Sequence, residues 1–293
     1  MQEVYVTKVE PNISEAMERL ISKLLPNSPD AETICIKPNL CEYRARETGA
    51  TTDPLVLDPL LASLRRRLPS TKFYVIENDA TGVNADNIFS FLGIDTVARK
   101  NGASTLNVAH EHWIVKSIDG MRFRSIEVPA ILQECDLFVT HPKLKTHGAT
   151  KISCGLKNQF GLLKPKNKLK YHSFLDEAIV DANLGMKPHL SIVDANICME
   201  GNGGPVYGVP KNLGLLIGGT DVVAADAFCS KLVGFHPHFV GHIRKAAKMK
   251  VGKMKFHASA DFDLGSSNEY QLEFSKFWYY VFKLVRRGLA RSG

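Results

Sequence analysis

Apolar and polar positions alternate over residues 3–9. Apolar residues then recur at Ile13, Ala16, Met17, Leu20, Ile21 and Leu24 behind Asn12. The first spacing predicts a strand, and the second a helix capped by the Asn12 side chain. Pro26 and Pro29 break the chain. The same exchange of short apolar runs and helical spacings continues. It predicts strands at 33–36, 72–77, 104–108, 136–140, 190–193 and 213–218. Helices are predicted at 53–67, 84–92, 94–101, 129–135, 173–183 and 220–233. Asp53 before Pro54, and Thr220-Asp221 before an apolar run, mark helix starts. Asp119-Gly120 between 113–118 and 121–128 signals an antiparallel hairpin. Residues 264–274 read as a last strand or an irregular segment.

Strands alternating with helices imply an α/β fold, with a mostly parallel sheet, helices on both faces and an inserted antiparallel hairpin near 113–128. No repeat of 20–50 residues is present. The chain divides into an α/β domain over 1–260 and a C-terminal segment over 261–293.

Polar residues gather just after predicted strands. Pro38 cannot donate to a ladder, so Lys37 and Asn39 stand at a strand's carboxyl edge, where open α/β sheets place ligands. Asn78-Asp79-Ala80-Thr81-Gly82 follows the next strand. Asp194, Glu200, Asp221 and Asp226 offer carboxylates on later strand ends, with oxygens suited to a divalent cation, although Asp221 reads best as a helix cap. The loop at 199–205 is glycine-rich but has no Gly-Lys-Ser, and no Gly-x-Gly-x-x-Gly follows any strand.

One stretch concentrates the chemistry. Residues 141–172 hold eight lysines and three histidines and no Asp or Glu. So much uncompensated charge argues against core and for a segment that receives an anion. Lys143, Lys145 and Lys157 supply charge, while Gly148, Gly155 and Gly161 let backbone N–H groups approach closely. His147 and His172 suit acid/base work or metal ligation, because imidazole titrates near neutrality. Lys157 beside Asn158 suits a carboxylate or phosphate, or acts as an amine nucleophile if desolvated.

Charge and cysteines narrow the classes. The net charge of +7 admits nucleic acid, membrane surface or small acids as partners. No interleaving of aromatic and basic residues of the kind single-stranded nucleic acid needs is seen, so nucleic acid is disfavoured. Cysteines at 35, 41, 135, 154, 198 and 229 form no Cys-x-x-Cys pair, which argues against a built-in iron–sulfur cluster or structural zinc. Scattered single cysteines fit a reducing cytoplasm. Cys154 is a weak nucleophile candidate beside the lysines. No run of 18 apolar residues exists. The segment 274–291 places Phe277, Trp278, Tyr280, Val281, Leu284 and Val285 at helical spacing among Lys and Arg, with no acid. Such a helix docks on the protein's own core or on a second copy in a homodimer, or lies in an anionic membrane interface.

Ile36-Lys37-Pro38-Asn39-Leu40, Lys143-Leu144-Lys145-Thr146-His147 and the run from Gly155 to Gly161 come in that order. His172, Val193-Asp194-Ala195, Met199-Glu200-Gly201 and the run from Asp221 to Asp226 follow. Together these resemble the family called domain of unknown function 362, over roughly residues 30–240. Many members of that family look like redox proteins with an attached ferredoxin-type cysteine module, which this chain lacks. A second resemblance is to nickel-pincer lactate racemases, in which a histidine precedes by ten residues the lysine that carries the cofactor and a metal-binding histidine comes sixteen later. Here His147 precedes Lys157 by ten residues and His172 follows it by fifteen.

The sequence thus points to an enzyme acting on a small anionic substrate at a Lys/His-rich site, by acid/base (isomerase or racemase) or redox chemistry. The site would comprise Lys37, Asn39, Lys143, Lys145, His147, Lys157, Asn158 and His172, with His172, Asp194 and Glu200 as candidate ligands of a divalent or transition metal. The alternative is a non-catalytic binder of phosphate-bearing ligands or nucleic acid.

Overall fold

A computed structural model describes residues 1–27, 29–164, 168–201, 207–264, 268–270 and 272–274. In chain order the strands are β1 (Gln2–Lys8), β2 (Thr33–Pro38), β3 (Lys72–Glu77), β4 (Ala103–Asn107), β5 (Trp113–Ser117), β6 (Ser125–Pro129), β7 (Leu137–His141), β8 (Lys143–His147), β9 (Lys151–Ser153), β10 (Leu190–Glu200), β11 (Val209–Gly219) and β12 (Phe256–Ala260). The helices are α1 (Ile13–Leu24), α2 (Pro54–Arg67), α3 (Ala85–Phe91), α4 (Ile94–Lys100), α5 (Ile131–Glu134), α6 (Gly155–Asn158), α7 (Leu175–Gly185), α8 (Val222–Leu232) and α9 (Gly241–Lys248).

The main sheet runs β12-β1-β11-β10-β7-β2-β3-β4, with β8 paired to β10 and β9 to β8. From β10 to β4 every pairing is parallel, and β11 alone on the main path runs antiparallel to both neighbours. The predicted α/β architecture is therefore present, with β5 and β6 as a separate antiparallel ribbon.

Side-chain alternation builds a core on each face. In β2 and β7, Ile34, Ile36, Leu137 and Val139 meet α1 to α4, whereas Cys35 and Phe138 join the core containing α7, α8 and α9. Successive strand residues point to opposite faces. Lys37 and Thr140 continue the Cys35 and Phe138 positions, and both bond the side chain of Asn158 at the end of α6. Gly218 of β11 lets α1 pack closely, since a Cβ there would lie 2.6 Å from Leu24 Cδ1.

Several expectations need correction. The stretch expected to lie outside the core is partly strand, for β8 is buried throughout. Its charges are matched: Lys143 pairs with Asp194, and Lys145 reaches a main-chain carbonyl. Asp194 does not end a strand, because β10 continues past a register shift after Ala195 to Glu200. The hairpin turn is not the two-residue Asp119-Gly120. Residues 118–124 form a loop in which the backbone N–H groups of Met121, Arg122 and Phe123 donate to the Asp181 carboxylate on α7. Helix α9 and edge strand β12 were not read from sequence. The expected helix at 274–291 falls almost entirely outside the described residues. No described helix is long and apolar enough to cross a membrane.

Candidate functional site

A cavity of about 160 Å3 opens where β2 and β3 end, at the carboxyl rim of the parallel strands. Its wall includes Lys37 and Asn39 at the end of β2, Glu77 and Asn78 at the end of β3, Lys157 and Asn158 of α6, and Lys168. Cys41, Phe160 and Gly161 complete much of the rest. Open parallel sheets bind ligands at this rim because loops from adjacent strands converge there.

Lys37 is the fixed cation. Its buried Nζ donates to Glu77 Oε2 at 2.7 Å, to the Pro38 carbonyl at 2.7 Å and to Asn158 Oδ1 at 3.4 Å. Asn158 Nδ2 donates in turn to the Lys37 carbonyl at 2.8 Å and to Thr140 Oγ1 at 3.0 Å. Glu77 also accepts the N–H groups of Leu40 and Asn78. This network ties α6 to the ends of β2, β3 and β7. A buried ion pair holds its geometry when its remaining hydrogen bonds are filled, as here.

Lys157 and Lys168 are different. Burial, and after it the charge of Lys145, pushes Lys157 down to about 8 from an ordinary 10.5. Among the described residues nothing accepts a hydrogen bond from Lys157 Nζ. Burial likewise pushes Lys168 down to about 8, although its Nζ donates to the Asp79 carbonyl at 3.2 Å. A lysine that loses its proton near neutrality is a usable base or nucleophile.

Helix α6 is placed from behind. The buried Asp226 of α8 accepts the N–H groups of Gly155 at 2.8 Å and Leu156 at 2.9 Å. A Cβ on Gly155 would lie 2.7 Å from Val222 Cγ2 and 2.8 Å from Asp226 Oδ1, so glycine permits this approach. The expectation that the Gly155 N–H would face an anionic ligand is thus corrected, since it is already spent on Asp226. Burial pushes Asp226 up to about 6.

Four residues singled out in the sequence, Lys37, Asn39, Lys157 and Asn158, share the cavity wall. Lys143, Lys145, His147 and His172 do not line it. Lys143 lies 2.5 Å from Asp194 Oδ2, with both side chains fully buried. Lys145 stands just behind the wall, donating to the Ala50 carbonyl at 2.6 Å and to Cys41 Sγ at 3.2 Å. Lys168, Glu77 and Asn78 were not singled out. Glu77 and Asn78 had the same signal as Lys37 and Asn39, a polar pair at a strand's carboxyl end. Lys168 was one lysine among many.

His147 sits apart from the cavity wall but within electrostatic reach of Lys157. Burial, then Lys157 and Lys145, holds it well below the usual imidazole range. Its Nδ1 accepts the N–H groups of Ala149 and Thr150 at 3.1 and 3.3 Å, so the neutral ring carries its proton on Nε2. In that tautomer it offers no lone pair to a metal. His172 is exposed, Asp194 is paired with Lys143, and Glu200 accepts the Glu273 N–H and lies 3.7 Å from Lys211. No group of three or more His, Cys, Asp or Glu placed to hold a metal occurs among the described residues. His147 and His172 are thus not gathered with other ligands into such a group among the described residues.

Comparison with known proteins adds the following. The family model described as "Domain of unknown function (DUF362)" matches residues 34–231. A thylakoid-associated protein of Synechocystis is 28% identical over 186 residues, covering 59% of this chain and 57% of that protein. The chain thus spans little more than half the length of that relative. The lactate racemase apoprotein from Thermoanaerobacterium thermosaccharolyticum superposes with a TM-score of 0.46 and 13% identity, over 80% of this chain and 57% of that one.

Proposed function

The chain belongs to the DUF362 family, and from that premise we propose that the cavity is the active site of an enzyme that moves a proton on a small anionic substrate. The observation that carries this reading is Lys157, a cavity-lining amine from which no described residue accepts a hydrogen bond, brought to about 8 by its surroundings. Lys37, Lys157 and Lys168 face a single carboxylate, Glu77, among the lining residues named above. The balance favours an anion of one or two charges.

In this reading Lys168 holds the anionic group of the substrate, and the positive charge of Lys37, whose hydrogen bonds go to Glu77, Pro38 and Asn158, attracts it from behind. Neutral Lys157 takes a proton from the carbon beside a carboxylate and becomes an ammonium. The electron pair left behind delocalises onto the carboxylate oxygens, where the other two ammonium groups stabilise it. Return of the proton from Lys157 completes an isomerisation or racemisation, with nothing consumed. Asn158 and Glu77 position Lys37 and do not exchange protons.

The test is deuterium wash-in. The purified chain would be incubated in D2O with a panel of small carboxylates, and loss of the proton beside the carboxylate followed by NMR. Exchange above the buffer rate is expected for at least one member, with a bell-shaped pH profile centred near 8 as Lys157 loses its proton and Lys168 keeps its own. Lys157→Ala should lower the rate by about 100-fold or more without unfolding the protein. Full exchange in Lys157→Ala would remove the proposal, whereas anion binding without exchange would leave a non-catalytic binder.

A further inference from the structure

The cavity holds more than cations. Asn78 is buried, 2% exposed, and its Nδ2 donates to the Leu163 carbonyl at 2.9 Å. That bond fixes which end of the amide is oxygen. Asn78 Oδ1 is buried and has no hydrogen-bond partner. Asn39 is anchored through its main chain, its N–H donating to Thr52 Oγ1 at 2.7 Å and its carbonyl accepting the Thr52 N–H at 2.9 Å. Its Oδ1 too is buried without a partner. Both residues line the same cavity.

Two buried, unpaired acceptors on residues that line one cavity are costly unless something donates to them, since a buried polar group left unmet has given up its hydrogen bonds to water. The lining lysines cannot all serve, because Lys37 is already committed to Glu77, Pro38 and Asn158. Water fills such positions in a free protein. A ligand that displaces the water must bring its own donors. An anion such as acetate or sulfate has none. An ammonium group would donate, but it would enter a cavity already lined by three lysines. A neutral hydroxyl donates without that repulsion.

We propose that Asn39 and Asn78 form a hydroxyl-recognition subsite, so that the substrate is a small anion carrying at least one hydroxyl group. The anionic group, whether carboxylate or phosphate, goes to the lysines, and the hydroxyl donates to an asparagine Oδ1. This inference rests on the proposed active site and adds a selection rule to it. A deoxy analogue would fill the same space but strand two acceptors, and sites built to hydrogen-bond a hydroxyl discriminate strongly against analogues that lack it.

The test uses matched pairs that differ by hydroxyl groups alone: malate against succinate for carboxylates, and glycerol 3-phosphate against propyl phosphate for phosphates. Calorimetric titration of the full chain should give tighter binding of the hydroxylated member in at least one pair, by about tenfold or more. Asn39→Ala, at a half-buried position, and Asn78→Ala should each shrink that ratio, because the hydroxylated member loses its acceptor and the deoxy member no longer strands one. A folding defect in Asn78→Ala would leave Asn39→Ala to decide. Equal affinities within both pairs would overturn the hydroxyl subsite and leave the anion site standing. Failure of all four ligands to bind at millimolar concentration would overturn both.

Discussion

At the scale of single residues, the cavity sets function against stability. Lys168 is ordinarily protonated below 10.5 but in the fold below about 8. A group whose folded value is depressed contributes stability that is fully present above its unfolded value and is lost as pH falls through the folded one. At pH 7 Lys168 therefore sits on the unfavourable side, and stability should climb between pH 8 and 10.5. Replacing it by Met removes the penalty. Lys168→Met should melt roughly 3 °C higher than the parent at pH 7, with the gap closing toward pH 10, and should lose anion affinity. A variant that melts lower at every pH would contradict this account of Lys168. Lys37, Asn39, Lys157 and Asn158 were legible as residues that meet at one cavity because strand-end position and turn chemistry are local. The pairing of Lys143 was not legible, since its partner Asp194 lies 51 positions away and the β8–β10 register brings the two together. Pairing across elements also explains how an acid-free stretch becomes core.

At the scale of elements, the site depends on a four-residue helix with no capping bond from its own flanking residue. The cap comes from Asp226 of α8, and so Lys157 is oriented from the opposite side of the core. Truncating Asp226→Ala leaves two N–H groups buried and unmet, a cost of about 2 kcal/mol. Amide exchange at Gly155 and Leu156 should accelerate strongly, ahead of exchange in β2 or β7, and deuterium wash-in should fall with it. Uniform acceleration throughout the sheet would show instead that Asp226 supports the whole fold. Most strands and helices were legible from period alone. The 118–124 loop was not, because a buried carboxylate on α7, not the turn residues, fixes its path. Nor was β12, whose burial pattern is intermediate along an edge where alternation is weak.

At the scale of the whole molecule, the parallel strands β2, β3 and β7 deliver their ends to one rim, and one face of the sheet carries α6 to meet them. The α/β architecture follows from the order of periods along the chain, so it was legible. The cavity's donors and acceptors were not, because they depend on which loops meet. The thylakoid association of one relative belongs to that protein. For this chain, membrane contact through 274–291 is a proposal, resting on an acid-free aromatic segment. The central claim is that Lys157 loses its proton near neutrality inside an anion-binding cavity. Competitive acetylation across pH 6 to 11, read lysine by lysine from peptide masses, tests it directly. The account predicts that Lys157 titrates near 8 and that a bound anion shifts it upward and slows its acetylation. Titration of Lys157 at 10.5 alongside the surface lysines, indifferent to added anion, would contradict it.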